Sequence, residues 1–132
     1  MIIYGKTSTL SEWFISRMMK NRVVDAPSQM IGCEMGGQIV ACASFHNHVD
    51  GDIEVALAVD GRATKGFMLA VFRYVFNQLN CWRLSCQVDE SNSKSIHLAE
   101  RLGFTCEGKK RGTGEHDGVL IFGLLKSECK YV

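Results

Sequence analysis

Proline is nearly absent from this sequence, with one residue in 132. Together with 46% apolar and 22% charged residues, that excludes an intrinsically disordered chain. Net charge is nearly absent too: 15 basic minus 14 acidic residues leave +1 with His neutral. Proteins that track phosphate backbones usually gather basic charge on one face or helix, so nucleic acid is an unlikely partner. No apolar run reaches the roughly 18 residues that a membrane span needs, and no membrane partner is expected. Met1–Lys6 has no long apolar core, and Leu10–Met19 carries Glu12 and Arg17, so no leader peptide is expected. Paired CxxC spacing is missing as well. Cys33, Cys42, Cys81, Cys86, Cys106 and Cys129 form no zinc knuckle, and the expected metal content is none. Four of the six sit in apolar runs, where free Cys behaves as a small buried hydrophobe. Cys42, Cys86 and Cys106 are expected to be buried. Reduced thiols in a cytoplasmic protein are the expected state.

A chain of 132 residues makes one domain, residues 1–132. At this length about two-thirds of the unfolded surface can be buried without a covalent staple. Met1–Tyr4 reads as a strand or as a free end. Thr9 and Glu12 fit a capping box that opens a helix. Leu10, Trp13, Phe14 and Met18 fall on one face of it, and it ends near Lys20. Asn21–Gln29, with Pro27, reads as a loop. Three strands follow, Met30–Met35, Gln38–Val49 and Asp52–Val59, joined by turn signals at Gly36-Gly37 and Asp50-Gly51. Gly66–Leu79 is apolar nearly all round and poor in β-branched residues, which predicts a helix pressed on a sheet. Trp82–Val88 alternates like a half-buried strand. Ser93–Leu102 predicts a helix with Ile96, Ala99 and Leu102 inward, Gly103 just past its end and Phe104 packed behind it. Phe104–Lys109 and Val119–Leu125 are the last strands, joined by a Gly-rich loop. The fold class is α/β (α+β): a mixed, mostly antiparallel sheet with flanking helices and a central β-α-β crossover whose strands pair in parallel.

Several residues are candidates for chemistry. The loop Asp60–Gly66 follows a strand and opens the apolar helix. A helix N-terminus offers unpaired amides and a favourable dipole to an anion, and Arg62 and Lys65 add charge. The same loop reads equally as a solvated turn with two ordinary basic residues. Glu54 lies mid-strand between Ile53 and Val55, on the face of Ala56 and Ala58. It is either a general base in a cleft or a residue on a wet face. Asn92 and Ser95 either cap the second helix or face a ligand. His46 and His48 stand two apart with Asp50 beyond them, spacing that can hold a metal but supplies no fourth ligand. His97 reads as a surface residue, and His116 lies in the last loop, where it would face a substrate.

Asn92-Ser93-Lys94-Ser95-Ile96, then Glu100-Arg101-Leu102-Gly103-Phe104, Glu107-Gly108, Arg111, Asp117 and Phe122-Gly123 form one string. It resembles the GNAT superfamily of N-acetyltransferases, and within it the ribosomal-protein N-acetyltransferase branch. The likeness spans roughly residues 30–125. It implies a sheet that splits between two central strands to take the pantetheine arm of acetyl-CoA, the acyl-donor cosubstrate. Carried onto this chain, pantetheine contacts fall at Leu57, Ala58 and Val59. Pyrophosphate contacts fall around Arg62, Lys65, Gly66, Phe67 and Met68, and Asn92 faces the cosubstrate. The loop departs from the family pattern, because Lys65 and Phe67 stand where small residues are usual. A different backbone path is implied. Ala99 occupies a position where the family often carries Tyr, which leaves Ser95 to help protonate the leaving thiolate.

The implied reaction moves an acetyl group from acetyl-CoA to a primary amine, with Glu54 as base, directly or through water. The expected acceptor is an amine on a protein or peptide. A small-molecule amine is the alternative, and so is an inactive GNAT-fold binding or structural module. The N-terminal region is short for the family, so a homodimer in which the partner supplies one wall of the acceptor site is a further expectation.

Overall fold

A computed structural model describes residues 1–18, 27–113 and 118–132. The sheet has seven strands in the order β1-β2-β3-β4-β5-β7-β6. These are β1 (Ile2–Tyr4), β2 (Gln29–Met35), β3 (Gln38–Val49), β4 (Asp52–Val59), β5 (Arg83–Asp89), β6 (Thr105–Lys110) and β7 (Val119–Leu125). The helices are α1 (Ser8–Met18), α2 (Lys65–Arg73) and α3 (Ser93–Arg101). Neighbouring strands run antiparallel except β4 and β5, which are parallel.

The hairpin signals work as written. Gly36 and Gly37 both take positive φ, 59° and 78°, the pairing that a two-residue turn needs to match strand twist. β3 and β4 occupy the expected bounds. The first residues are a strand and not a free end: β1 pairs Ile2 with Cys33 and Tyr4 with Ile31.

Strand alternation sends alternate side chains to opposite faces of the sheet. On one face Cys42 and Ala58 meet Leu10 and Phe14 of α1, with Met30 beneath them. On the other, Ala43, Phe45, Ile53, Val55, Leu84, Phe122 and Leu124 meet Phe67, Val71 and Phe72 of α2, Ala99 of α3 and Leu102 at its C-terminal cap. Each Phe buried in this way contributes about 1.5–3 kcal/mol relative to exposure.

Four expectations are corrected. Thr7, not Thr9, caps α1: its Oγ1 accepts from the Leu10 N–H at 3.1 Å and its carbonyl from the Ser11 N–H. Gly5, at φ 113° and bonded to the Met30 carbonyl, turns the chain off β1 early enough to put Thr7 there. The apolar helix does not run evenly to Leu79. It widens into a π-helical turn at Tyr74–Gln78, closed by the Leu79 N–H on the Tyr74 carbonyl, and this turn adds Val75 and Phe76 to the core. Trp82 precedes β5 and is 75% exposed, because its backbone bonds to Gly51 and Lys126 at the turn end of the sheet. Cys106 is exposed; β6 is the sheet's edge, and that part of the strand has no helix over it.

The second predicted helix matches its expected cap. Asn92 Oδ1 accepts from the Ser95 N–H at 3.1 Å. At the far end the Phe104 N–H bonds the Ala99 carbonyl and the Gly103 N–H the Glu100 carbonyl, the paired bonds of a Schellman ending. Ile96, Ala99 and Leu102 lie inward as expected.

Candidate functional site: a split between two parallel strands

β4 and β5 pair at three positions only: Asp52 with Arg83, Ile53 with Leu84 and Glu54 with Ser85. Both strands continue, to Val59 and Asp89, but no longer together. From residue 55 onward the β5-facing edge of β4 has no strand partner among the described residues. Backbone groups on such an edge seek hydrogen bonds, and an extended ligand with amide groups can supply them. The gap opens into a cavity of ≈ 840 Å³. Its walls include Glu54 and Ala56 from the α1 face and Val55, Leu57 and Val59 from the α2 face, so it passes through the sheet.

The expected site residues divide. Glu54, Leu57, Val59, Arg62, Lys65, Met68, Asn92 and Ser95 all line the cavity. Three do not. Ala58 packs against α1. The Phe67 side chain is buried in the core, and its N–H is taken by Thr64 Oγ1 at 3.1 Å, which caps α2. Gly66 faces a separate depression with Leu69 and Arg73. The unusual loop residues thus have a structural explanation. Phe67 is a core anchor of the first turn, and Thr64 occupies its amide.

At the vertex of the split, Glu54 is held from both sides. Gln87 Nε2 on β5 donates to Oε1 at 2.9 Å, and Asn47 Nδ2 at the end of β3 donates to Oε2 at 3.2 Å. The Gln87 bond crosses the gap where the ladder stops. Below it, Arg83 Nε donates to Ser85 Oγ at 2.8 Å, and Ser85 Oγ to Asp52 Oδ1 at 2.7 Å. These bonds tie the short parallel ladder together beneath the cleft.

The two strand histidines do not form a pair. Asn47 takes φ 50°, and the β3–β4 register slips between His46 and Val49. Such a bulge re-aims the following side chain. His46 Nε2 lies 2.7 Å from Ser44 Oγ, whereas His48 Nε2 lies 3.7 Å from Cys81 Sγ, a residue of the α2 core. Among the described residues no group of three or more His, Cys, Asp or Glu could hold a metal ion. His116 and Asp117 lie outside the described residues.

The sequence reading passed over some of the lining. Lys94 and Arg101 of α3, and Lys130, join Arg62 and Lys65 around the cavity. The seven-residue spacing of Lys94 and Arg101 puts them on one helix face, a signal that was open to reading. Cys86 also lines the wall. Burial, with a smaller contribution from Glu54, pushes its thiol up to about 12. Thiolate is the nucleophilic form, and burial works against it here.

The chain is similar to known proteins. Residues 6–105 match the family described as the acetyltransferase (GNAT) domain. The chain is 31% identical over 80 residues to the spermidine N(1)-acetyltransferase of Escherichia coli K12, covering 58% of this chain and 42% of that protein. It thus spans less than half the length of that curated relative. Among solved structures, a mutant of the spermidine N-acetyltransferase SpeG from Vibrio cholerae superposes with a TM-score of 0.64 at 21% identity, over 92% of this chain and 76% of that one. A GNAT-family acetyltransferase from Streptococcus pneumoniae superposes with a TM-score of 0.63 at 17% identity, over 91% and 77%. These two likenesses concern the fold alone. With the family match covering most of its length, the chain belongs to the GNAT acetyltransferase family.

Proposed function

We propose that the split is an acyl-transfer site, in which an acetyl group passes from acetyl-CoA to a primary amine. One observation carries this reading: the parallel ladder stops after Glu54 and Ser85 while both strands run on, leaving an unpaired edge that leads to the N-terminus of α2. Pantetheine amides lie along β4 at Leu57–Val59. The pyrophosphate lies at the loop and first turn, near Arg62 and Lys65. Lys94, Arg101 and Lys130 add positive charge for a polyanionic donor. Asn92, through the side-chain amide nitrogen that its cap bond leaves over, faces the same ligand.

Glu54 holds the incoming ammonium and, directly or through water, draws off its proton. An amine attacks through its lone pair, and an ordinary alkylammonium keeps its proton until about pH 10.4. A β4 backbone N–H near Leu57–Val59 supports the developing oxyanion, and Ser95 helps protonate the departing thiolate. Transfer is direct, because positioning and deprotonation suffice.

The acceptor we favour is a small amine with further positive charge. The curated relatives are named for spermidine, and the carboxylate of Glu54 lines the cleft. The string Asn92 to Phe104, with its likeness to ribosomal-protein acetyltransferases, keeps a protein or peptide amine as the second reading. Acetyl-CoA titration by calorimetry, then turnover on spermidine and on a lysine peptide, tests both. Alanine at Arg62 or Lys65 weakens CoA more than pantetheine, since the charge acts on phosphate. Equal losses for the two ligands, or no binding of CoA at millimolar concentration, would refute the placement.

A further inference from the structure

Glu54 is gripped by two side-chain amides, and each of them has an end left over. A carboxylate only accepts hydrogen bonds, so Gln87 and Asn47 must both turn their NH2 groups to it. They do so on separate oxygens, Gln87 Nε2 to Oε1 at 2.9 Å and Asn47 Nδ2 to Oε2 at 3.2 Å. Each amide then keeps a carbonyl oxygen to which no group donates among the described residues. The carboxylate itself has lone pairs to spare, because an ionised Glu can accept more than two bonds.

Of the two amides, Gln87 is the one in the cleft. It lines the cavity together with Glu54 and Ala56, whereas Asn47 stands outside that lining. Glu54 pairs with Ser85 at the last rung of the parallel ladder. One more rung on the same face would set Ala56 opposite Gln87, but the strands part there. Ala56 contributes only a methyl group, so the space beyond Glu54 on the α1 face is edged by Gln87 and open to a ligand. Asn47 has a different signature. Its φ of 50° is left-handed, a conformation that Asn tolerates better than most residues but that still costs free energy. The β3–β4 register slips around it, between His46 and Val49. The strain is kept where it delivers the Asn47 amide to Glu54.

We propose that Gln87 selects the acceptor: its carbonyl oxygen takes one N–H of the ammonium group whose charge Glu54 pairs with. Asn47 is a positioning residue that fixes the second oxygen of Glu54. The inference rests on the acyl-transfer reading and adds that the substrate is recognised through more than one N–H. A primary ammonium has three, enough for Glu54 and Gln87 together. A tertiary ammonium has one, which serves Glu54 or Gln87 but not both. Bound there, it would strip water from the Gln87 oxygen and put a methyl group in its place. A site built to hydrogen-bond a substrate N–H rejects an analogue without it for that reason. The two amides therefore differ in what their loss does. Removing Gln87 takes a bond from ligands with an N–H to spare. Removing Asn47 loosens Glu54 and weakens every ammonium alike.

Binding to the CoA-loaded protein tests this without a need for turnover. The probes are propylamine and N,N-dimethylpropylamine, titrated by NMR. The unaltered protein should prefer propylamine. Gln87→Met keeps the length of an exposed side chain and drops its amide. It should cut that preference by about three- to tenfold, the worth of one hydrogen bond. Asn47→Gly suits the same backbone conformation. It should weaken both amines by a common factor and leave the preference standing. An undiminished preference in Gln87→Met overturns the inference, whether or not acetyl transfer is seen. Failure of both amines to bind the CoA-loaded protein, or of CoA to bind at all, counts instead against the acyl-transfer reading beneath it.

Discussion

Arg83 and Glu107 meet across a strand that lies between them. Arg83 is on β5 and Glu107 on β6, with β7 in the middle of that order. Arg83 Nη1 and Nη2 donate to the two Glu107 carboxylate oxygens at 2.9 and 2.6 Å. The residue they pass over is Gly123, which pairs with Ser85 on one side and Thr105 on the other. A Cβ on Gly123 would come within 2.5 Å of Glu107 Oε2 and 2.7 Å of Arg83 Nη1. The missing side chain is what lets the pair lie flat on the sheet. Because Arg83 also donates to Ser85, which in turn donates to Asp52, one polar strap reaches from β6 to β4 just below the cleft.

Gly123→Ala should therefore break the strap without breaking the fold. The displaced atoms are the ends of flexible side chains, and a partly exposed ion pair is worth about 0.2–1 kcal/mol. An unfolding free energy from chemical denaturation lowered by that amount is expected. In a Glu107→Gln background the same substitution should cost little more, since the pair is already lost. Full additivity of the two changes would show that Gly123 serves some other purpose.

The pair also predicts an acid-sensitive stability. Hydrogen bonding to Arg83, with its positive charge beside it, holds Glu107 below the usual carboxylate range. A carboxylate depressed in the folded state adds stability above its unfolded value, about 4.3. That stability is lost as pH falls through the lower folded value, because the unfolded state then binds more protons. The Tm difference between the unaltered protein and Glu107→Gln should be constant near neutrality and should shrink below about pH 4.3. A difference that grew on acidification would reverse the sign of the argument.

The thiols should separate by accessibility. Burial pushes Cys42 up to about 12, and it lies at 0% exposure beneath α1, whereas Cys106 is exposed on the edge strand. All six cysteines are free. Brief alkylation of folded, unreduced protein should modify Cys106 first and Cys42 among the last, and unfolding should yield six modified thiols. A reproducible intramolecular disulfide would contradict this arrangement.

Much of this architecture was readable because its determinants are local. The turn at Gly36-Gly37, the alternation in Asp52–Val59 and the Asn92 and Gly103 caps are each specified by a few adjacent residues. What the sequence did not disclose depends on partners far along the chain. Thr7 displaced Thr9 as the cap because Gly5 bonds to Met30. Cys106 is exposed because β6 ends the sheet order, which alternation within β6 cannot reveal. His46 and His48 look like a pair at i, i+2 until the Asn47 bulge turns them apart. In the same way, Glu107 and Gly123 were visible as parts of a family string, but the reason for both is Arg83, which was not. At the cleft, the legible residues were those flanking the splayed strands. Phe67 shows why the loop was harder to read, since a helix's first turn can send an apolar side chain into the core as readily as present its amide to a ligand.

The sharpest prediction concerns Glu54. It sits at the vertex of the split with each carboxylate oxygen held by an amide, from Gln87 and from Asn47. Neither amide is titratable, so Glu54→Gln removes the charge and keeps a side chain of similar shape, its new NH2 being met by the oxygen of whichever of Gln87 and Asn47 turns its amide over. If Glu54 draws the proton from the amine, that change should preserve the fold and most affinity for CoA. Turnover should fall by about 10²–10⁴-fold, the usual range for acid–base catalysis. The loss should shrink as pH rises, because more of the amine arrives already deprotonated. A residue that merely fills a wet strand face would show neither effect, since surface substitutions typically change stability by less than about 0.5 kcal/mol. The measurement is kcat/KM against pH with one accepted amine. A Glu54→Gln profile of the same height and shape as the unaltered protein's would end the role of Glu54 as base, even if acetyl transfer itself is established.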